Sequence, residues 1–391
     1  MAEGRHPLHS MSSYLGCFPP VVPRRLIHAY VPKGGTVLDP FCGSGTTLVE
    51  ATLAGRRSFG IDLNPLAVAL ARAKVQHVNL ELVQERLRDL ARAYDGAVDS
   101  ETEPDNIRTI FHPRTLTQLV YLREQLNEDH AEDVFLKGAL LGIMHGKHKK
   151  NGSDSAYLSI DMPNTFSMSP EYVRKFVKKH RLRQLPFDVF RKLSDRVEWL
   201  LREGPLPSEP GSSVFSGDAT HAPLILQQNG VASVDAVVTS PPYLGVLRYG
   251  AFNWIRLWFL RQQPAPIDKI LDSTDSLDRY LSFLTSFLVS VAEVLKPGAP
   301  VALVVGDVVE FGTHLQLAPR IWDEIQGVVP FTLKTIEVDQ FDESSKTTRI
   351  WGEDKKGKAT PLDRVLILER VRTRPSSRST QRARDRMVPR G

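Results

Sequence analysis

The strongest constraint on the fold is a repeated unit in which a short apolar run ends in an aspartate and a helical pattern follows. Gly35–Asp39 is such a run, a glycine-containing loop comes next, and helical spacing extends over Thr46–Ala54. The run Arg57–Asp62 ends in a second carboxylate, and Asn64-Pro65 starts a second helix, since proline suits the first helical turn. This order of strands and helices predicts an α/β fold with a doubly wound, mainly parallel, Rossmann-like sheet.

Between about residue 80 and residue 212 the pattern changes, because the sequence there is charged and helical and holds few strand-like runs. Strand-like runs resume after it, at Ser213–Phe215, Asp235–Thr239, Pro300–Val305 and Arg364–Leu368. The second and third of these are mostly apolar, as buried parallel strands are. We therefore predict one α/β domain split into residues 1–80 and 213–370, a mostly helical insert over residues 81–212, and a disordered basic tail over residues 371–391.

The net charge of +5 is distributed unevenly along the chain. Residues 142–202 carry a net charge of +7 and residues 371–391 carry +6, which leaves −8 for the remainder. Two such basic segments suit a polyanion such as a nucleic acid, although solvated surfaces would carry the same charges. In the helix predicted to start at Ser169, four basic residues lie largely opposite an apolar stripe: Arg174, Lys175, Lys178 and Lys179. Contact of this face with DNA and simple exposure to water are both open on this pattern.

Composition narrows the class of protein further. No apolar run approaches the roughly 18 residues of a membrane span. The first ten residues hold no apolar signal core, so we expect a protein of the cell interior with no membrane partner. The two cysteines, Cys17 and Cys42, are too few for a disulfide framework, and no spacing of cysteine and histidine resembles a zinc site. We therefore predict no metal.

The loop after the first strand reads Asp39-Pro40-Phe41-Cys42-Gly43-Ser44-Gly45-Thr46. Open parallel sheets bind ligands at the carboxyl ends of their strands, which is where this loop lies. Gly43 and Gly45 allow backbone angles and a close approach that side chains would prevent. The same glycines would also suit a tight structural turn. Because no Gly-Lys-Ser/Thr ending follows, the loop is not the type that cradles a triphosphate.

Two further acidic residues follow strand-like runs. Asp62 ends the second run, some twenty residues after the glycine loop, where a carboxylate can accept both hydroxyls of a ribose. A helix-capping role would suit the same position. Asp218, in Gly217-Asp218-Ala219, could accept a hydrogen bond from an adenine amino group, although a turn position explains it equally well.

The most specific pattern is Thr239-Ser240-Pro241-Pro242-Tyr243, which follows an apolar strand. The two prolines stiffen the backbone and lack N–H groups, so the Ser240 hydroxyl and an adjacent carbonyl can converge on an amino group. The ring of Tyr243 offers a face on which a planar base can stack. A proline-rich turn with a buried tyrosine is the structural alternative.

Taken together, these segments resemble the DNA methyltransferases that modify exocyclic amino groups. In that family an Asp-Pro-Phe-x-Gly-x-Gly segment binds S-adenosylmethionine, and Asp39–Gly45 is similar to it. A Ser/Asn/Asp-Pro-Pro-Tyr segment holds the target amino group, and Ser240–Tyr243 is similar to that segment. The serine version after Thr239 resembles the members that methylate the cytosine 4-amino group. Gly16–Arg24 resembles the segment that closes over the methionine end of the cofactor.

The resemblance implies a class I methyltransferase fold and S-adenosylmethionine as the cofactor. It implies that the target base is handled by Ser240, Pro241, Pro242 and Tyr243. It implies that the cofactor is bound by Phe18, Asp39, Phe41, Cys42, Gly43, Ser44, Gly45, Thr46, Asp62 and Asp218. The order of the segments is similar to the family's alpha arrangement, with target recognition in the insert. The insert differs in one respect, since it precedes Gly217-Asp218 rather than the catalytic strand.

On this resemblance we expect a site-specific enzyme that flips a cytosine out of double-stranded DNA and methylates its 4-amino nitrogen by direct in-line transfer. Expected partners are DNA and a possible cognate restriction endonuclease, in a bacterial or archaeal cytoplasm near the nucleoid. A carbon-5 cytosine enzyme would need a nucleophilic cysteine after proline, and neither Cys17 nor Cys42 follows one. Methylation of adenine, methylation of a guanine 2-amino group in RNA, and a non-enzymatic nucleic-acid module are the alternatives.

Overall fold

The computed structural model describes residues 5–148, 155–163, 169–242, 249–271, 276–310, 313–340 and 362–372. Its strands are β1 (Thr36–Asp39), β2 (Arg57–Asp62), β3 (Ser212–Ser216), β4 (Ala236–Thr239), β5 (Pro300–Gly306), β6 (Val308–Glu310), β7 (Thr313–Leu315), β8 (Phe331–Gln340) and β9 (Leu362–Arg370). The predicted Tyr243 and the tail beyond Arg372 lie outside the described residues.

The helices are α1 (Val21–Tyr30), α2 (Thr46–Leu53), α3 (Pro65–Val75), α4 (Leu80–Ala93), α5 (Asp105–Ile110), α6 (Pro113–Gln125), α7 (Ala131–Ile143), α8 (Pro170–His180), α9 (Val189–Leu200), α10 (Ala222–Gln228), α11 (Tyr249–Phe252), α12 (Trp254–Phe259), α13 (Pro264–Ile270), α14 (Leu277–Ala292) and α15 (Leu317–Ile325). Local chemistry explains several of their starts. Asn64 accepts from the backbone N–H of Leu66 before α3, and Ser169 accepts from that of Tyr172 before α8. None of the described helices is long and apolar enough to cross a membrane.

Seven strands form one sheet in the order β3-β2-β1-β4-β5-β9-β8. The first five strands in sequence are parallel, whereas β9 runs antiparallel to both β5 and β8. The predicted doubly wound, mainly parallel sheet is therefore confirmed. The strand order reverses between β1 and β4, and a crevice for a ligand forms at such a reversal, outside the carboxyl ends of the strands.

The two faces of the sheet are covered by different helices because side chains alternate along buried strands. Along β5, Leu303 and Val305 pack with α10, α14 and α15 on one face. Ala302 and Val304 pack with α1 and α2 on the other face. Helices cover both faces of these strands, which is why their sequences are nearly continuous apolar runs.

The helices α4 to α9 do not form a core of their own. Their buried side chains share one cluster with Leu66, Leu70 and Ala73 of α3. Helix α7 packs closely against α3, where a Cβ on Gly138 would collide with Ala73. The helical segment predicted as an insert is thus fastened to the sheet domain through α3.

Candidate active site

A cavity of about 630 Å³ lies at the carboxyl ends of β1, β2, β3 and β4. Its volume is in the range of sites for small molecules and cofactors. It is lined by the chain before α1, the loops after those four strands, and residues of α11 and α14. The predicted site residues among its walls are Phe18, Asp39, Phe41, Cys42, Gly43, Thr46, Asp62, Asp218, Ser240, Pro241 and Pro242. The structure therefore brings the glycine loop and the Ser-Pro-Pro loop to one cavity.

The glycine loop depends on left-handed backbone angles. Gly43 has φ +49° and Gly45 has φ +81°, backbone angles that residues with a side chain rarely adopt. A Cβ on Gly45 would also lie 3.1 Å from Ala71, so the close packing of α3 against the loop requires glycine there. Gly45 precedes the first turn of α2, whose start therefore faces the cavity edge of the sheet.

Asp39 joins the two loops. It is 2% exposed at the end of β1, and its Oδ1 accepts from the Thr239 hydroxyl at 2.5 Å and from the Phe41 backbone N–H at 3.2 Å. Burial raises the pKa of Asp39 to about 6, while the hydrogen bond from Thr239 opposes that rise. Thr239, the last residue of β4, thus stabilises the Asp39 carboxylate at the start of the glycine loop.

Asp62 at the end of β2 is held by backbone donors. Its Oδ2 accepts from the Gly43 N–H and its Oδ1 from the Asn64 N–H, both at 2.8 Å. Burial raises the pKa of Asp62 to about 6, and these backbone hydrogen bonds counter the rise. Because a carboxylate has about four acceptor positions, each oxygen can still accept a further donor from the cavity.

Asp218 caps a short 3-10 helix after β3. Its Oδ1 accepts from both the backbone N–H and the hydroxyl of Thr220, each at 2.8 Å. The turn role considered for Asp218 is therefore present in the structure. The residue also lines the cavity, so the two roles coexist at one side chain.

The hydroxyl of Ser240 is a buried polar group at the cavity. Its Oγ is buried and has no hydrogen-bond partner among the residues that the structure describes. A buried hydroxyl in this condition costs about 1–3 kcal/mol, so it is a ready partner for a polar group that enters the cavity. Pro241 and Pro242 follow it in the wall and offer no N–H groups.

Packing fixes the positions of two further predicted residues in the cavity wall, Phe41 and Cys42. The Phe41 ring packs edge-on against Phe287, with the ring centroids 5.0 Å apart. Cys42 is buried, and a Cβ on Gly60 would lie 2.9 Å from its Sγ. Ser44 and Gly45 are not part of the cavity wall, and the Ser44 hydroxyl accepts from Lys74 instead.

The predicted DNA-binding residues lie elsewhere. Arg174, Lys175, Lys178 and Lys179 are exposed on α8, while Val173 on the opposite side of that helix is buried. Lys175 pairs with Glu171 one turn earlier at 2.7 Å. None of the four lines the cavity, so the structure does not bring them together with the Ser-Pro-Pro loop.

Several residues of the cavity wall were not predicted from the sequence, among them Tyr14, Asn64, Tyr249 and Arg279. The Tyr14 hydroxyl accepts from Asn64 Nδ2 at 2.8 Å, and its ring stacks on Tyr249 with 5.7 Å between the centroids. Arg279 is exposed at the cavity and comes from the first turn of α14. The position of Asn64 before the helix-starting Pro65 marks it in the sequence as a capping residue. Nothing in the sequence indicates its contact with Tyr14.

The cavity fits an adenosyl cofactor by its chemistry: carboxylates stand at the ends of two strands, aromatic rings line the wall, and glycine allows close approach beside them. Described residues include no group of three or more histidine, cysteine or acidic side chains suited to a metal ion. The mainly parallel sheet, with β9 reversed, places this cavity at the carboxyl ends of its strands, where open α/β sheets bind ligands. Residues 3–73 match the N6/N4-methyltransferase family model described as DNA methylase. That match and the relatives below show that the chain is similar to the DNA amino-methyltransferases.

Several proteins of known name are similar to this chain. The type II methyltransferase M.BsoBI of Geobacillus stearothermophilus is 24% identical over 288 residues, which are 66% of this chain and 54% of that protein. M.MvaI of Kocuria varians is 23% identical over 240 residues, 57% of this chain and 50% of that protein. The tRNA (guanine(10)-N2)-dimethyltransferase of Methanothermobacter thermautotrophicus is 36% identical over 81 residues, 20% of this chain and 24% of that protein. The chain thus spans about half the length of the first two relatives.

Proposed function

We propose that the chain is a site-specific DNA methyltransferase that transfers a methyl group from S-adenosylmethionine to the 4-amino nitrogen of cytosine. One observation carries the proposal. The loop that resembles the family's cofactor segment and the loop that resembles its target segment line the same cavity, and the buried Ser240 Oγ there lacks a partner among the described residues.

The cofactor side of the proposal uses groups at the ends of the first three strands. Asp62 would accept the ribose hydroxyls with the acceptor positions left free by Gly43 and Asn64. Asp218 would accept from the adenine amino group, and Phe18 would pack near the methionine end. When bound, S-adenosylmethionine supplies an electrophilic methyl group, and the protein supplies position and exclusion of water.

The substrate side uses the Ser-Pro-Pro loop. A base inside a duplex cannot reach the cavity, so the target nucleotide has to be flipped out of the stack. The Ser240 hydroxyl and the Pro241 carbonyl would accept hydrogen bonds from its amino group, which leaves the nitrogen lone pair available for attack. Tyr243, outside the described residues, would stack on the base. Holding the reacting groups in this way contributes several kcal/mol without a covalent intermediate.

DNA contact would extend beyond the cavity. We place the duplex against the basic face of α8, formed by Arg174, Lys175, Lys178 and Lys179, and assign target recognition to the helical segment that carries it. The exposure of these side chains supports the assignment, since charges used on phosphates have to be accessible. A cognate restriction endonuclease that acts on the same site is a possible partner of such an enzyme.

Cytosine is preferred over adenine because serine, preceded by Thr239, stands before the two prolines. The adenine 6-amino group is the alternative in DNA. The guanine 2-amino group in RNA is a further alternative. The similarity of 81 residues of this chain to a tRNA guanine-N2 methyltransferase supports it.

The test is a product analysis. Purified protein is incubated with labelled S-adenosylmethionine and either unmethylated genomic DNA or total tRNA, and the digested nucleosides are separated by mass. We expect N4-methylcytosine from DNA. Labelled 6-methyladenine alone would contradict the cytosine assignment, and labelled guanosine from RNA alone would contradict a DNA substrate. A Ser240→Ala protein run in parallel shows whether the label depends on this site.

A further inference from the structure

One buried lysine beneath the cofactor loop has no role in the function proposed above. Lys74 lies on α3 and is 1% exposed. Its Nζ donates to the Ser44 Oγ at 3.0 Å. No carboxylate of the described residues forms an ion pair with it, although buried ammonium groups usually have one.

The partner of Lys74 connects two walls of the cavity. Ser44 belongs to the glycine loop, and its Oγ also forms a hydrogen bond with the Cys17 Sγ at 3.3 Å. Cys17 lines the cavity in the segment before α1. A single ammonium group is therefore linked, through one hydroxyl, to two chain segments that line the cavity.

This arrangement costs stability. Desolvation lowers the pKa of Lys74 from 10.5 to about 8. The titratable and charged groups that face it are Cys17, Arg5, Cys42 and His9, and none of these is a carboxylate. An apolar side chain of similar length would remove the cost of burying the charge. Packing alone therefore does not account for a lysine at this position.

We propose that Lys74 is a positioning residue for the cofactor, whose ammonium group fixes Ser44 and, through Ser44, Cys17, so that both cofactor segments keep their places in the cavity wall. The inference rests on the proposed use of S-adenosylmethionine at this cavity. Lys74 does not touch the cofactor itself and acts through the two segments.

The first experiment separates positioning from packing. Lys74→Met keeps the length and apolar stem of the side chain and removes the charge. We expect the dissociation constant of S-adenosylmethionine, measured by calorimetry, to rise roughly tenfold, which is the loss of one hydrogen bond to a charged group. At the same time the cofactor-free protein should unfold at a higher temperature, because the buried charge is gone. A lower unfolding temperature with an unchanged dissociation constant would overturn the proposal and leave Lys74 a packing residue.

A second pair of variants tests the link through Ser44. Ser44→Ala leaves the ammonium group without its acceptor, so the unfolding temperature should fall. In the double variant with Lys74→Met it should recover, because charge and acceptor are removed together. The two substitutions should weaken cofactor binding by no more together than the larger one does alone. Effects on binding that simply multiply would show that the two residues act separately.

The third readout needs neither cofactor nor substrate. Cys17 is half-buried and Cys42 is buried, and they are the two cysteines of the chain. In the cofactor-free Lys74→Met protein, Cys17 should react with a maleimide several-fold faster, while Cys42 serves as the internal reference. Unchanged labelling of Cys17 would refute its coupling to Lys74. Lys137→Met is the control, because Lys137 is a half-buried lysine that pairs with Glu128 at 3.0 Å and contacts neither segment.

These readouts also separate the inference from the function on which it rests. If the wild-type protein binds no S-adenosylmethionine, the proposed function fails at the first titration. The unfolding temperatures and the labelling of Cys17 would still report whether Lys74 holds the two segments together.

Discussion

The hydroxyl of Thr239 donates to Asp39 Oδ1 at 2.5 Å across 200 residues of sequence. These residues end β4 and β1, the neighbouring strands between which the sheet order reverses. The contact ties the loop that begins at Pro40 to the loop that begins at Ser240. A shift of either strand end would therefore be felt in both loops.

Thr239→Val removes the hydroxyl and keeps the shape of the side chain. Because Asp39 is buried, loss of this donor should lower the free energy of unfolding by about 1–3 kcal/mol, measured in urea. Thr239→Ser retains the donor and loses one methyl group, so it should cost less than the valine variant. Equal losses in the two variants would show that the methyl group, not the hydrogen bond, matters at this position.

Ser240→Ala should reduce turnover on DNA roughly 10- to 100-fold, since it removes one acceptor for the target amino group. Removing a buried hydroxyl without a described partner should leave the unfolding temperature unchanged or slightly higher. The affinity for S-adenosylmethionine should stay within about twofold, measured by calorimetry. A matched loss of cofactor affinity and turnover would contradict the division of the cavity into two sides.

Arg279→Gln should weaken DNA binding, because an exposed guanidinium at the cavity can contact the phosphate beside a flipped nucleotide. The slope of log Kd against log salt concentration should fall by about 0.9, the value for one phosphate contact. Arg88→Gln is the control, since Arg88 is exposed on α4 and absent from the cavity wall. An unchanged slope would exclude Arg279 from the contact surface.

Cofactor affinity should fall as the pH drops below about 6, because Asp62 then becomes protonated and accepts ribose hydroxyls less well. The pKa of Asp62 is raised, so as the pH falls from 6 to 4 the folded protein binds a proton that the unfolded chain does not yet bind. The contribution of Asp62 to the free energy of unfolding therefore increases as the pH falls through this range. Loss of binding in that window would therefore not reflect unfolding through Asp62. Titration of Asp62→Asn by calorimetry from pH 5 to pH 8 should show weaker binding and a flatter profile. The remaining dependence belongs to Asp39, whose pKa is also about 6.

His9 should make the fold sensitive to acid. Its Nε2 donates to Glu50 Oε1 at 2.7 Å, and burial lowers the pKa of His9 to about 4. Between pH 6.5 and pH 4 the unfolded chain binds a proton that the folded protein does not, so this group lowers the free energy of unfolding as the pH falls, by at most about 3 kcal/mol.

His9→Gln tests that dependence, since its amide can donate to Glu50 without titrating. Asp39 and Asp62 shift stability in the opposite direction over part of the same range, so the difference between the wild-type and His9→Gln curves is the quantity to measure. That difference should grow from pH 6.5 to pH 4, and parallel curves would contradict the assignment.

The sequence was informative where burial is uniform. Strands β4 and β5 are buried on both faces, and the sequence predicts them as apolar runs. The sequence does not predict β8. That strand lies at the edge of the sheet, and from Thr332 to Val338 its side chains are exposed or half-buried, so it shows neither an apolar run nor clear alternation. Edge strands lose the pattern on which such a prediction depends.

The candidate site shows the same limit. Residues within the two loops were predicted because their chemistry is local to each segment. The rings of Tyr14 and Tyr249 stack although the two residues are far apart in sequence, and Lys74 is fully buried although lysine is usually a surface residue. Contacts of this kind are created by packing, and a single sequence holds no spacing that reveals them.

The close contact between Gly138 of α7 and Ala73 of α3 bears on any exchange of the helices α4 to α9 between related proteins. The same α3 reaches the glycine loop through Ala71 and Lys74. A chimera that exchanges only the helices for those of a relative would place a foreign surface on α3 and disturb the loop on its other side. Helices transplanted from a relative would need their own version of α3, because in this chain α3 contacts both the helical segment and the glycine loop.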